Sequence, residues 1–295
     1  MKVKELVIIS GKGGTGKTSV TASFASLAKN AVLADGDVDA ADLHLLLQPQ
    51  IKQREEFRGG HEAVIRAEDC VGCGLCEAHC RFDAIRRDSE VYAIDPSGCE
   101  GCGVCVGICP AKAIDFPVRP GGEWYISETR CGPMVHARLT PGGENSGKLV
   151  SLVREEARKI AEERKLGLVL MDGPPGIGCP VIASITGASM VLVVTEPTLS
   201  GEHDLERVLR LTNHFRISSM VCVNKWDINP AQTEKIETMA VRLGAEVAGR
   251  ICYDSGVTEA QVEGKCIVET ETPAGEDLKE IKNAVWCHLE TDRQN

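Results

Sequence analysis

The sequence predicts a three-layer α/β fold with a mostly parallel sheet, interrupted by a small inserted α+β module organised by cysteines. Three observations lead there. Short apolar, β-branched runs alternate with helical stretches on both sides of the chain's middle; a glycine-rich loop joins the first such strand to the first helix; and over residues 61–117 the hydrophobic periodicity gives way to Cys and Gly. The expected organisation is an α/β domain made of residues 1–60 and 118–295, with residues 61–117 inserted into it.

Taken in order, Leu6–Ser10 reads as a core strand, Lys17–Lys29 as a helix with Val20, Phe24 and Leu27 on one face, and Ala31–Ala34 as the second strand. Beyond the insert, a long amphipathic helix is expected over Ser146–Arg164. The strands Leu168–Met171 and Met190–Thr195, a helix around Glu202–Asn213 and the strand Ser219–Val223 follow. Alternation of this kind builds a parallel sheet covered on both faces.

Composition narrows the function. A formal charge of −10 and an aromatic content of 4% disfavour nucleic acid and anionic membranes as partners, since both call for clustered Lys and Arg, and single strands also need stacking platforms. No run approaches the ~18 apolar residues of a membrane span. Fourteen cysteines in a chain this size, without a recognisable secretory leader, point to metal or redox chemistry and a cytoplasmic setting.

The segment from Gly11 to Thr18, GKGGTGKT, satisfies G-x-x-x-x-G-K-[ST] between a predicted strand and a predicted helix. Gly11, Gly13, Gly14, Thr15 and Gly16, continued by Ser19, form a loop whose backbone N–H groups can surround phosphates. Lys17 would reach the outer phosphates and the Thr18 hydroxyl a Mg²⁺ ion. Gly11, Gly13 and Gly16 also spell G-x-G-x-x-G, with Asp35 at the end of the second strand; that dinucleotide reading leaves Lys17 and Thr18 unexplained.

With Lys12 included, the loop resembles the deviant phosphate loop of the MinD/ParA/Mrp superfamily. The resemblance implies an ATPase in which Lys12 reaches across a dimer interface to the partner's nucleotide, so that two ATP molecules are enclosed by a homodimer, or by a heterodimer with a similar ATPase. Asp35-Gly-Asp37 resembles the family's first switch, which implies that Asp37 positions water or metal and Asp35 supports it. Asp39 and Asp42 fit better as an acidic helix start. Leu168–Gly176, LVLMDGPPG, resembles the second switch, with Asp172 as the carboxylate near Mg²⁺ and the Gly176 N–H facing the γ-phosphate. Asn224 and Asp227, in Asn-Lys-Trp-Asp, stand where the family reads the base. Because N-K-x-D also selects guanine elsewhere, that motif leaves ATP and GTP open, while the wider resemblance favours ATP.

Cys70-x₂-Cys73-x₂-Cys76-x₃-Cys80 and Cys99-x₂-Cys102-x₂-Cys105-x₃-Cys109-Pro110 are two copies of the bacterial ferredoxin run. In that arrangement the fourth cysteine of each run serves the other cluster. One [4Fe–4S] cluster then takes Cys70, Cys73, Cys76 and Cys109, and the second takes Cys99, Cys102, Cys105 and Cys80. Zinc prefers two cysteine pairs to two such triplets. Arg81 replaces the usual proline after the first run. Among the remaining cysteines, Cys179 stands at the offset where the nitrogenase iron protein carries a bridging ligand, with Cys131 as its sole candidate companion. Cys222, Cys252, Cys266 and Cys287 show no ligand spacing and read as packing residues.

Nearly the whole chain resembles MinD-superfamily ATPases with an inserted ferredoxin domain, and Gly122–Glu128, Gly132–Met134, Glu144–Lys148 and Glu196–Gly201 add to the likeness. The function implied is ATP binding and hydrolysis, slow without a partner, coupled to electron transfer through two clusters to a redox protein. The alternative is cluster or metallocentre assembly of the Mrp/Nbp35 type, delivering to an acceptor protein. A membrane-positioning role would need a basic amphipathic helix, and the amphipathic segment Asp277–Leu289 carries mixed charge.

Overall fold

The computed structural model describes residues 3–140 and 146–291. Glu144 and Asn145, part of the family-like stretch Glu144–Lys148, lie outside the described residues. The chain divides into two compact units. One comprises the chain up to Glu55, Trp124–Arg138 and the part from Ser146 onward; the other comprises Glu56–Glu123 with a short segment from Leu139.

In chain order, β1 (Lys4–Ser10), α1 (Lys17–Leu27), β2 (Ala31–Asp35) and α2 (Leu43–Leu47) open the first unit. Strand β3 (Gln50–His61) leads into the second, which holds β4 (Val64–Ile65), α3 (Leu75–His79), β5 (Ile85–Asp88), β6 (Val91–Ile94), α4 (Val104–Ile108) and β7 (Ile114–Asp115). Strand β8 (Val118–Thr129) leads back. There follow β9 (Gly132–Leu139), α5 (Ser146–Glu163), β10 (Leu168–Pro175), α6 (Cys179–Ile185) and β11 (Met190–Thr195). The chain closes with α7 (Leu199–His214), β12 (Ser219–Asn224), α8 (Pro230–Arg242), β13 (Glu246–Ile251), α9 (Gly256–Val262) and α10 (Pro273–Thr291).

The sheet runs β13-β12-β11-β1-β10-β2-β9-β8-β3. Every pairing from β13 to β9 is parallel. Strands β1, β10, β11 and β2 are apolar on both faces, as strands covered on both sides must be. Leu6, Ile8, Leu33, Leu170 and Leu192 point into one core with Val20 and Phe24 of α1 and Leu278, Ile281 and Val285 of α10. Their alternating neighbours Val7, Val32, Val169, Met171 and Val191 are equally buried, and they leave the opposite face to be covered by other helices, α5 among them. Its buried residues Leu149, Val150, Val153, Ala157 and Ile160 repeat every three or four positions.

The helix expected to end at Lys29 stops at Leu27, because Ala28 turns extended. Strands β3, β8 and β9 had no alternating signature: β3 carries Lys52, Arg54, Glu55, Glu56 and Arg58 and is exposed along most of its length, as a sheet-end strand can be. The C-terminal amphipathic segment is a core helix whose apolar face is buried, with Trp286 edge-on to Phe24 at 5.5 Å. No helix among the described residues is long and apolar enough to cross a membrane.

Among the described residues the second unit has a small core of its own, made of Ala63, Cys76, Ile85, Tyr92 and Ile114. β4 pairs antiparallel with β7 and β5 with β6. So few buried apolar side chains make covalent or metal cross-links the expected source of its stability.

Candidate nucleotide site and cysteine centres

The glycine-rich loop leaves β1 at Ser10 and enters α1 at Lys17. Gly16 sits at φ 90°, and a Cβ there would meet Asn224 Nδ2 at 2.4 Å, so backbone and space both demand glycine. Asn224 Nδ2 donates to the Thr15 carbonyl at 2.8 Å, which fastens the loop to the end of β12.

Parallel pairing of β2 with β10 places Asp35 opposite Asp172, and both are fully buried. Asp172 is the hub. Its Oδ2 accepts from Thr18 Oγ1 at 2.8 Å and lies 3.0 Å from Lys17 Nζ, while its Oδ1 accepts from Thr21 Oγ1 at 2.7 Å. Asp37 Oδ2 is 3.5 Å from the same ammonium. Asp35 accepts from the Asp37 and Leu43 backbone N–H groups at 3.1 and 3.3 Å, so it braces the backbone between β2 and α2.

Burial pushes the Asp35 carboxyl well above the usual carboxylate range, helped by the neighbouring charge of Asp172. Asp37 moves the same way for the same first reason, against the pull of Lys17. For Lys17, burial works against the charge, but Asp172, Asp37 and Asp35 outweigh it and the ammonium is held more firmly protonated than usual. Three carboxyl groups around one ammonium leave an excess of acidic groups, an environment suited to a divalent cation arriving with phosphate. The buried Thr15 Oγ1 has no hydrogen-bond partner among the described residues, as expected of a loop shaped for a polar ligand.

Lys12 does not extend freely. Its ammonium is 2.5 Å from Glu196 Oε1 and donates to Ser200 Oγ at 2.9 Å within the same chain. The Gly176 N–H donates to the Ser10 carbonyl at 2.8 Å, so it is committed to the backbone here. Ser19 Oγ accepts from Gln261 Nε2 at 2.8 Å. Asp39 and Asp42 precede the short α2 without a side-chain cap bond.

A cavity partly open to solvent adjoins the loop between Gly14, Gly16, Asn224, Asp254 and Thr258. The segment from Tyr253 to Gln261 that closes it went unnoticed in the sequence, because it has neither a motif nor a distinctive composition. Asp227 is not among the residues lining this cavity. Its Oδ1 accepts from the Tyr253 N–H at 2.7 Å and thereby anchors that wall. Cys252 lines the cavity rather than serving only as packing, and burial together with Asp277 raises its thiol to about 11. Cys287 is exposed and does not pack; Cys222 and Cys266 are buried as expected. Cys179 is exposed at the start of α6, and Cys131 packs half-buried against the main core.

In the second unit two further cavities, partly open to solvent, are lined by cysteines. One is bordered by Cys70, Cys73, Cys76 and Cys109, the other by Cys80, Cys99, Cys102 and Cys105. Each therefore draws three thiols from one run and the fourth from the other. Among the described residues no group of three or more His, Cys, Asp or Glu side chains gathers around a single-ion position; the thiols surround spaces. Four thiols around a mainly apolar cavity are a donor set suited to an iron–sulfur cubane.

Comparison with known proteins agrees with this geometry. Residues 6–268 match the model of the CobQ/CobB/MinD/ParA nucleotide binding domain. An uncharacterized protein of Methanocaldococcus jannaschii is 36% identical over 233 residues, 77% of this chain and 80% of that one. A ferredoxin of Chlorobaculum thiosulfatiphilum is 40% identical over 58 residues, 18% of this chain and 95% of its own length. The septum site-determining protein MinD of Pyrococcus horikoshii, solved with Mg-ADP, shares the fold with a TM-score of 0.61 at 15% identity, each chain being covered completely. Phosphate loop, paired strand-end carboxylates and sheet order thus have one explanation: the chain belongs to the CobQ/CobB/MinD/ParA nucleotide-binding family.

Proposed function

We propose that this chain binds and hydrolyses ATP as a dimer and couples that turnover to electron transfer through two [4Fe–4S] clusters. The observation that carries the reading is the presence, in one chain, of a braced phosphate loop and of two cavities each ringed by four cysteines.

At the nucleotide, Lys17 would neutralise the outer phosphates, Thr18 would hold Mg²⁺, and Asp172 would orient Thr18 and the ion's water shell. Asp37 would position the attacking water, supported by Asp35. Asn224 and the wall anchored by Asp227 would frame the base. Lys12 would leave Glu196 and Ser200 to reach the partner's nucleotide, and the Gly176 N–H would leave Ser10 for the γ-phosphate. In the second unit, Cys70, Cys73, Cys76 and Cys109 would hold one cluster and Cys99, Cys102, Cys105 and Cys80 the other. The clusters supply one-electron storage and transfer. Eight well-spaced ligands support resident clusters over the labile, bridging ones of an assembly factor.

The test is anaerobic purification followed by electron paramagnetic resonance of the reduced protein with and without MgATP, together with reduction of an acceptor. The expected result is a spectrum altered by MgATP and acceptor reduction that depends on it. An unchanged spectrum with reduction indifferent to ATP overturns the coupling.

A further inference from the structure

The two cysteine cavities are lined by equivalent positions of an internal repeat. Shifting by the interval from Cys70 to Cys99 exchanges the two linings: Ile65 corresponds to Ile94, Ala113 to Ala84 and Ile114 to Ile85, and each member of a pair borders its own cavity. Where the pairs differ, they differ in chemistry. Val71 faces the Cys109 cavity and Glu100 takes its place at the Cys80 cavity, while Tyr92 and Ala111 of the first are matched by Ala63 and Phe82 of the second. Cys109 Sγ also accepts from the Ala113 N–H at 3.3 Å.

From this asymmetry we infer that the two clusters have unequal potentials and that a single electron rests in the Cys109 cavity. The inference depends on clusters filling both cavities, as proposed above. Reduction adds one negative charge to a cluster already surrounded by thiolates. A carboxylate at the cavity wall opposes that charge and lowers the potential, whereas an N–H donated to a ligand sulfur offsets it and raises the potential. Glu100 acts on one cavity and the Ala113 N–H on the other, so both act in the same direction. Glu100 is exposed, so solvent and salt screen its effect and the expected change is modest.

The test is a spectroscopically monitored redox titration of the full, cluster-loaded chain at one fixed pH. The native chain should titrate in two separate one-electron steps. Glu100→Gln should raise the lower step about threefold in reduced fraction at fixed potential, equivalent to about 30 mV for one electron, and leave the upper step in place. Val71→Glu should lower the upper step by a similar amount and narrow the gap. Two coincident steps in the native chain, or an upper step that moves in Glu100→Gln, overturn this inference while leaving the clusters themselves established. A chain that takes up no cluster iron defeats the underlying reading of the cavities, and this inference with it.

Discussion

Lys17 Nζ and Asp172 Oδ2 lie 3.0 Å apart with almost no exposure to solvent, and Asp172 also receives the hydroxyls of Thr18 and Thr21. The phosphate loop, the helix that follows it and the end of β10 therefore share one buried carboxylate. Removing only the cation leaves that charge uncompensated. Lys17→Met should abolish ATP binding and, without nucleotide, cost roughly 3 kcal/mol in urea unfolding. The double variant Lys17→Met/Asp172→Asn should recover much of that stability but not the binding.

The cysteine cavities separate crossed from uncrossed ligation. Cys70→Ser/Cys109→Ser removes two residues from a single cavity, so iron should fall from about eight to about four per chain with one intact cluster signal. Cys70→Ser/Cys80→Ser removes one from each cavity, and both signals should be damaged. Equal outcomes for the two double variants would contradict the crossed arrangement.

Asp227 tests what the Asn-Lys-Trp-Asp sequence does. Its carboxylate holds the Tyr253 N–H at the wall of the nucleotide cavity. Asp227→Ala should therefore weaken ATP and GTP by the same factor, roughly three- to tenfold for one charge-assisted hydrogen bond. A guanine-reading carboxylate would instead lose GTP alone, which competition binding would reveal.

His136 is 8% exposed, stacks on Tyr125 and shares a hydrogen bond with Ser127 Oγ at 2.9 Å. Burial, reinforced by His44, lowers its pKa to about 4. Between about 6.5 and about 4 the unfolded chain binds the proton and the folded chain does not, so stability present above that window is lost as the pH falls through it. The contribution is about 3 kcal/mol. Denaturant unfolding should show this acid loss in the native chain and a shallower one in His136→Gln.

Arg154 makes a further buried ion pair to which a large effect can be assigned. It contacts Glu5 Oε2 at 2.5 Å and donates to the Ala183 carbonyl at 3.3 Å and to the Thr186 carbonyl, tying β1 and α5 to the end of α6. Arg154→Ala leaves Glu5 buried and should cost roughly 3 kcal/mol. Glu5→Gln in the same background should return part of it. A loss no larger than that of an exposed pair such as Arg210→Ala would show that solvent reaches Glu5.

Much of this molecule was legible because its chemistry is local. Gly11–Thr18 shapes its own anion cradle from consecutive N–H groups, and three cysteines three positions apart can wrap one side of a cubane without help from distant chain. Two-sided apolar runs marked β1, β2, β10, β11 and β12 for the same reason. The sheet-end strand β3 escaped notice because solvent on its surface removes the pressure to alternate apolar with polar residues.

The sequence by itself determined the α/β class, the phosphate loop, the acidic ends of β2 and β10 and the eight cysteines in two runs, since each depends on neighbours a few residues apart. Tertiary structure decided the rest. Pairing of β12 with β13 brings Asp227 to Tyr253, so that its carboxylate anchors the cavity wall. Lys12 rests on Glu196 and Ser200, far along the chain. Two cysteine runs of the same spacing come to line unlike cavities in part through Tyr92, whose placement at the wall of the Cys109 cavity depends on how the second unit folds back on itself. A local pattern specifies which groups are available, but their partners are chosen by contacts between distant residues, and these form only when the chain packs.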